Sequence, residues 1–158
     1  MQLIQLLTYG KLKEPYLRAA CAEYEKRLSR FCKLQCVELE PVFLPERPSE
    51  KEIAAALEKE AQPLLKRKKG FTIAMCIEGK QLDSPQFAQL LQRAAVQGDT
   101  AVTLLIGSSY GLAECVKRAA DLRLSMSAMT FPHQLARVML LEQIYRGYQI
   151  LGGSPYHK

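Results

Sequence analysis

Apolar and polar positions alternate along this chain in two rhythms. Nearly unbroken apolar runs at residues 3–8, 71–77 and 101–106 have the length of buried strands. Between them, apolar positions recur every third or fourth residue, the spacing of one helix face. The chain reads as a strand at 3–8, a loop at Tyr9-Gly10-Lys11-Leu12-Lys13, and a helix opened by Glu14-Pro15 and running to about Arg30. On that helix Tyr16, Leu17, Ala20, Tyr24 and Leu28 share a face. A second strand at 34–39 sets Val37 and Leu39 against Glu38 and Glu40.

Local punctuation divides the rest. Pro41, Pro45 and Pro48 mark a loop. Ser49, with Glu52 three residues on, has the spacing of a capping box for a helix that reaches about Leu65 and admits Pro63 only near its end. Gly70 closes that segment. The strand at 71–77, buried on both faces, leads to a turn beginning at Gly79-Lys80. Asp83 or Ser84 caps a helix from Pro85 to about Gln97, and Gly98-Asp99 forms the next turn. A strand at 101–106, a short helix at 112–120, a strand at 122–124 and a long helix at 132–151 complete the chain. This alternation predicts an α/β fold with a mostly parallel sheet and helices on both faces, in one domain of 158 residues.

Composition narrows the class. Hydrophobic residues make up 48% of the chain, which suits a packed core. The longest uncharged apolar stretches fall short of the ~18 residues that span a bilayer. The start has neither a basic region nor a small-residue cleavage site, so it reads as a first strand, and a soluble cytoplasmic protein is expected. A net charge of +6 permits a nucleic-acid partner without requiring one. The run Lys66-Arg67-Lys68-Lys69 also suits a solvated helix end. The five cysteines are odd in number and irregularly spaced, and Cys32 and Cys36 lack the second ligand pair of a zinc site. Free thiols and no metal are expected, with Cys76 in the core.

Ligands of parallel sheets bind beyond the carboxyl ends of the strands. Those ends hold no GxGxxG, Walker, GxSxG or HExxH motif. Instead, the strand at 101–106 breaks at Gly107-Ser108-Ser109-Tyr110-Gly111, where glycine lets a ligand approach the backbone. A second loop with few charges, Leu124-Ser125-Met126-Ser127-Ala128-Met129-Thr130-Phe131-Pro132-His133, can form the opposite wall. Such a cleft, apolar and lined by backbone, suits a neutral aromatic base with a thioether-like tail better than a triphosphate. Pro155-Tyr156-His157-Lys158 adds titratable groups.

These segments, together with Glu23-Tyr24-Glu25-Lys26-Arg27-Leu28, Gly79-Lys80, Leu105-Ile106-Gly107, Gly111-Leu112 and Glu142-Gln143-Ile144-Tyr145-Arg146, run in an order and spacing that resemble the ribosomal RNA large subunit methyltransferase H family of the SPOUT class. The resemblance spans the whole chain. It implies a C-terminal trefoil knot, with a knotted cofactor region at about 71–158. It implies S-adenosylmethionine as cofactor, a homodimer with each site near the subunit interface, and methylation of N3 of a pseudouridine in 23S rRNA of the assembled ribosome. By matched position, Met75, Gly107, Met126, Ser127, Ala128, Met129, Thr130 and Phe131 would contact the cofactor, and Tyr156 and His157 would fold over a neighbouring subunit's pocket. The chain departs from the family at Ser108, where members usually carry glycine. A serine there needs an unstrained backbone angle, and its Cβ and hydroxyl have the reach to crowd or rearrange the cofactor loop.

The implied reaction needs alignment and removal of the N3 proton by a base or water. His133, His157 and Glu142 are the candidate acceptors, and Arg146 is the candidate for holding an anionic base or a phosphate. Tyr145 and Tyr148 have the rings to stack on a flipped base, or simply to pack the helix. Read without the resemblance, Glu142 and Arg146 are an ordinary i,i+4 pair, His133 a packed helix-start residue and His157 a fraying end. Two rival readings stay open on the residues alone: a non-catalytic RNA- or ribosome-binding module, and a flavodoxin-like nucleotide-binding domain.

Overall fold

Every side chain of the run Ala101–Leu105 is buried, so that strand needs a neighbour on each edge and helices on both faces. The computed structural model supplies both. It describes residues 1–98 and 100–157; Asp99 of the expected Gly98-Asp99 turn and the terminal Lys158 lie outside the described residues. The elements follow as β1 (Leu3–Tyr9), α1 (Pro15–Leu28), β2 (Lys33–Leu39), α2 (Glu50–Arg67), β3 (Phe71–Gln81), α3 (Ser84–Val96), β4 (Ala101–Leu105), α4 (Glu114–Ala119), β5 (Leu122–Ser125) and α5 (His133–Leu151). The sheet order is β2-β1-β4-β3-β5, and each of its strand pairings is parallel.

Alternation within the strands builds two cores. Ile4, Leu6, Ile73, Val102 and Leu104 face α1, α3 and α5. Their neighbours Leu7, Ala74 and Leu105 turn to the opposite face, with Tyr9, under α2 and α4. Each fully buried Leu or Ile contributes about 1.5–3 kcal/mol of transfer free energy. The expected capping box of Ser49 with Glu52 forms, and of the two candidate caps of α3 it is Asp83 that serves, in a second capping box with Gln86.

Four expectations are corrected. The buried stripe of α1 is Leu17, Cys21 and Leu28 with Tyr24 half-buried, while Tyr16 is exposed. Pro63 lies inside α2, which runs on to Arg67. Ala61 and Leu64 on either side of the proline are buried, so packing holds the helix across it. Residues 79–80 are not a turn. A bulge between Met75 and Lys80 lets β3 resume pairing, Lys80 with Leu124 and Gln81 with Ser125. A Cβ on Gly79 would lie 2.7 Å from the β5 backbone, so glycine marks close strand approach here. The outer half of β3 is consequently not buried on both faces, and Cys76 is only half-buried. Cys32 and Cys36 are pushed up to about 11 and about 12, chiefly by burial, which keeps them as unreactive thiols.

No helix among the described residues is long and apolar enough to cross a membrane.

Candidate functional site

The carboxyl ends of β3, β4 and β5 meet at a cavity of about 400 Å³. One wall is the loop after β4, residues 106–112, and the other the loop after β5, residues 126–131. A Cβ on Gly107 would lie 2.2 Å from the Gly111 carbonyl oxygen, so only glycine lets the loop fold back this tightly. Gly111 has φ of +85°, and its amide donates to the Ser108 carbonyl at 2.8 Å. The second wall is tied locally. Ser125 Oγ donates to the Ser127 carbonyl, and the Met129 amide donates to Ser127 Oγ, each at 3.0 Å.

Met75, Gly107, Met126, Ser127, Met129, Thr130 and Phe131 all line this cavity. Ala128 sits in the loop but is exposed and outside the wall. Ser108 lines the cavity as well, with an unstrained backbone and its hydroxyl turned to α2. Its φ is not positive, and its hydroxyl donates to Glu60 Oε1 at 2.7 Å, bridging the loop to α2. The mouth carries one ion pair, Lys117 with Glu78, whose carboxyl the lysine holds below the usual range.

A second cavity of about 930 Å³ adjoins the first. Met75, Leu124, Ser125 and Met126 belong to both and form the partition. Glu142 and His157 line the second cavity. Arg146 donates to Glu142 Oε1 through Nη2 at 2.8 Å and through Nε at 3.1 Å. Arg146 Nη1 lies 3.2 Å from His157 Nδ1, and the Tyr156 hydroxyl donates to Glu142 Oε1 at 3.3 Å. The guanidinium carbon stands 4.9 Å from the Tyr156 ring centre. Glu142, Arg146, Tyr156 and His157 therefore form one cluster, and the tail folds onto α5. Burial, then Glu142, pushes the Tyr156 hydroxyl up, so it stays a donor. Because an arginine N–H can only donate, a neutral His157 in this contact carries its proton on Nε2.

His133 is not in the cluster. It opens α5 at the edge of the smaller cavity, with its pKa lowered from 6.5 by burial and then by Arg137. The folded protein thus binds fewer protons at His133 than the unfolded chain does. Its contribution is fully present above about pH 6.5 and is lost as the pH falls below that value. Replacing His133 by Gln is expected to flatten this acid limb of a stability–pH curve; an unchanged limb would assign it to other groups.

Tyr145 and Tyr148 are used in packing. Tyr145 meets Tyr24, Phe31 and Tyr156 at ring-centre distances of 6.2, 6.1 and 5.0 Å. Tyr148 stacks on Phe31, and its hydroxyl donates to Gln2 Oε1. Two buried charges escaped the sequence reading. Arg137 binds Glu38, Thr8 Oγ and the Gly10 carbonyl, fixing the β1 end against α5. Glu60 receives Ser108. Both interrupt a buried helical stripe: Arg137 precedes Leu140, Leu141 and Ile144, and Glu60 stands among Ala56, Ala61 and Leu64. A charge in an apolar register was the signal for each.

Residues 1–157 match a family described as "Predicted SPOUT methyltransferase". The chain is 50% identical over 157 residues to ribosomal RNA large subunit methyltransferase H of Clostridium beijerinckii, covering 98% of this chain and 99% of the relative. It is 46% identical to the protein of that name from Streptococcus suis, with the same coverage. Among solved structures, a probable methyltransferase from Bordetella pertussis Tohama I aligns over 93% of this chain and 96% of its own, with a TM-score of 0.56 at 14% identity. The tRNA (m1G37) methyltransferase of Aquifex aeolicus aligns over 92% and 70%, with a TM-score of 0.52 at 13% identity. These two likenesses bear on the fold. The chain belongs to the SPOUT methyltransferase family, alongside the ribosomal RNA large subunit methyltransferase H proteins.

Proposed function

We infer that this protein transfers a methyl group from S-adenosylmethionine to large-subunit ribosomal RNA, at N3 of a pseudouridine in 23S rRNA of the assembled ribosome. The observation that carries this reading is the pairing of an apolar, backbone-lined cavity with the Glu142–Arg146–Tyr156–His157 cluster. The names carried by its relatives support the substrate class.

The residues fit the cofactor. The cavity falls within the ~300–1,000 Å³ of small-molecule sites, and Gly107 lets the loop after β4 fold back tightly enough to form its wall. Met75, Met126 and Phe131 offer apolar and thioether surface, and the loop backbones offer hydrogen bonds. S-adenosylmethionine supplies a methyl on a sulfonium, already activated for transfer. The loops at 106–112 and 126–131 orient it and exclude water. Arg146 keeps N–H groups on Nη1 and Nη2 beyond those given to Glu142 and His157. These and the His157 Nε2 proton stabilise negative charge on the imide oxygens as N3 loses its proton to water. Glu142 holds Arg146 and Tyr156 in place.

The working unit is a homodimer. Within one protomer the partition of Leu124, Ser125 and Met126 stands between the Gly107 loop and the cluster. Along α5, Arg146 also lies about 20 Å from His133 at the smaller cavity. A partner's tail reaching over the cavity brings the two halves together. A trefoil knot in the cofactor region at about 71–158, a single domain over 1–158 and a cytoplasmic location complete this reading.

Titration calorimetry with S-adenosylmethionine, using NADH and FMN as controls, tests the cofactor. Selective binding near one site per chain is expected, followed by methyl uptake into unmodified ribosomes and not into a bare stem-loop transcript. Equal uptake by the transcript would remove the assembled ribosome from the reading. Binding without uptake by either would leave a binding protein of this fold.

A further inference from the structure

Glu60 is a carboxylate 4% exposed, in a helix register otherwise filled by Ala56, Ala61 and Leu64. Among the described residues no basic side chain pairs with it. Burying a charge without a counter-charge is costly unless its oxygens are satisfied, and an apolar residue would fill this register at less cost. The oxygens are satisfied by neutral donors from two other segments. Oε1 accepts the Ser108 hydroxyl at 2.7 Å, and Oε2 accepts the Val42 amide at 3.0 Å. The Glu60 carbonyl receives the buried Tyr9 hydroxyl, whose pKa burial and the Glu60 charge push up, so it remains a donor. Glu60 thus joins α2, the segment after β2 and the end of β1 to the loop that walls the smaller cavity.

The link bears on the loop's tightest point. Ser108 lies between Gly107, which touches the Gly111 backbone, and the turn closed by the Gly111 amide on the Ser108 carbonyl. Holding the Ser108 side chain fixes where that carbonyl points, and with it the hydrogen bond that closes the turn. We propose that Glu60 is a positioning residue for the cofactor loop, acting through the Ser108 hydroxyl to hold residues 107–111 in their binding geometry. The proposal rests on the reading of this cavity as the S-adenosylmethionine site. Glu60 itself does not line the cavity.

The test uses the full chain with Ser108→Ala, Glu60→Ala and the double variant. Ser108→Ala changes a half-buried loop position and keeps the result readable if Glu60→Ala fails to fold. Calorimetry is expected to show S-adenosylmethionine binding weakened about tenfold by either change, since each breaks a charge-assisted hydrogen bond. The double variant should be little weaker than either single one, because both act on the same bond. The KM for S-adenosylmethionine should rise while that for ribosomes stays constant, a split that general destabilisation would not produce. Hydrogen exchange at the Gly111 amide should quicken about tenfold in Ser108→Ala without any cofactor. Wild-type affinity in Ser108→Ala, strictly additive losses, or unchanged exchange at Gly111 would overturn the proposal. Failure of the wild-type chain to bind S-adenosylmethionine would instead overturn the cofactor reading, and the exchange measurement would still decide whether Glu60 holds the loop.

Discussion

Gly107→Ala is expected to weaken S-adenosylmethionine binding at least ~100-fold, a loss of about 2.7 kcal/mol. The added Cβ would stand 2.2 Å from the Gly111 carbonyl oxygen and 2.3 Å from its carbonyl carbon. Both are backbone atoms, so no side chain can swing aside. Gly111 cannot retreat easily, because its φ of +85° and the hydrogen bond its amide donates to the Ser108 carbonyl define the turn. The strain must open the loop, and the loop is one wall of the small cavity. Overpacking of this kind costs about 1–3 kcal/mol, and here it falls on the binding geometry itself. Gly111→Ala provides the comparison. Its Cβ would meet nothing within 4 Å, leaving only the left-handed backbone penalty of about 1–2 kcal/mol. Calorimetry on both variants, beside thermal melts that establish folding, checks the ranking. Near-native affinity in a folded Gly107→Ala protein would mean that the loop after β4 is not a wall of the cofactor site.

Hydrophobic rhythm made the fold legible because the central strands are apolar without interruption. A run such as Ala101–Leu105 has one stable place, the middle of a covered sheet, and that is where it lies. Capping residues were equally legible, since Ser49 and Asp83 act within their own first turn. What failed depended on distant chain. Gly79 looks like a turn from its neighbours, yet its lack of a side chain answers the backbone of β5, more than forty positions on. Pro63 looks like a helix end until the burial of Ala61 and Leu64 is taken into account. The candidate site divides in the same way. Glu142 and Arg146 are visible as a pair four residues apart, and the chain end is visible as chemistry. That Tyr156 and His157 fold back onto that pair is a tertiary fact. Ser108 shows the limit most plainly. Sequence marks it as a departure from glycine and cannot reveal that its hydroxyl is spent on a buried carboxylate 48 residues earlier.

Arg146→Ala is expected to lower the rate of methyl transfer about 10²–10³-fold while leaving S-adenosylmethionine affinity close to that of the unaltered protein. The magnitude is that of removing a donor aimed at developing charge. The ordinary alternative is an i,i+4 ion pair, worth about 0.3–0.5 kcal/mol and without consequence for turnover. The environment separates the two. The side chains of Arg146 and Glu142 are 25% and 19% exposed, and the guanidinium is held by two bonds to the carboxylate, by His157 and by the Tyr156 ring. A residue fixed on so many sides is aimed rather than merely paired. Arg146→Lys should recover little of the lost rate, because a single ammonium cannot hold Glu142 through two nitrogens and also reach His157 and a substrate oxygen. Glu142→Gln should fall between the native protein and Arg146→Ala, since the amide oxygen still accepts from Arg146 but without the charge. Single-turnover methyl transfer to unmodified ribosomes, with cofactor affinity and thermal stability measured on the same preparations, distinguishes these outcomes. A small fall in stability with turnover unchanged would reduce the cluster to a surface pair. A large fall in turnover with cofactor binding intact would place Arg146 at the target base.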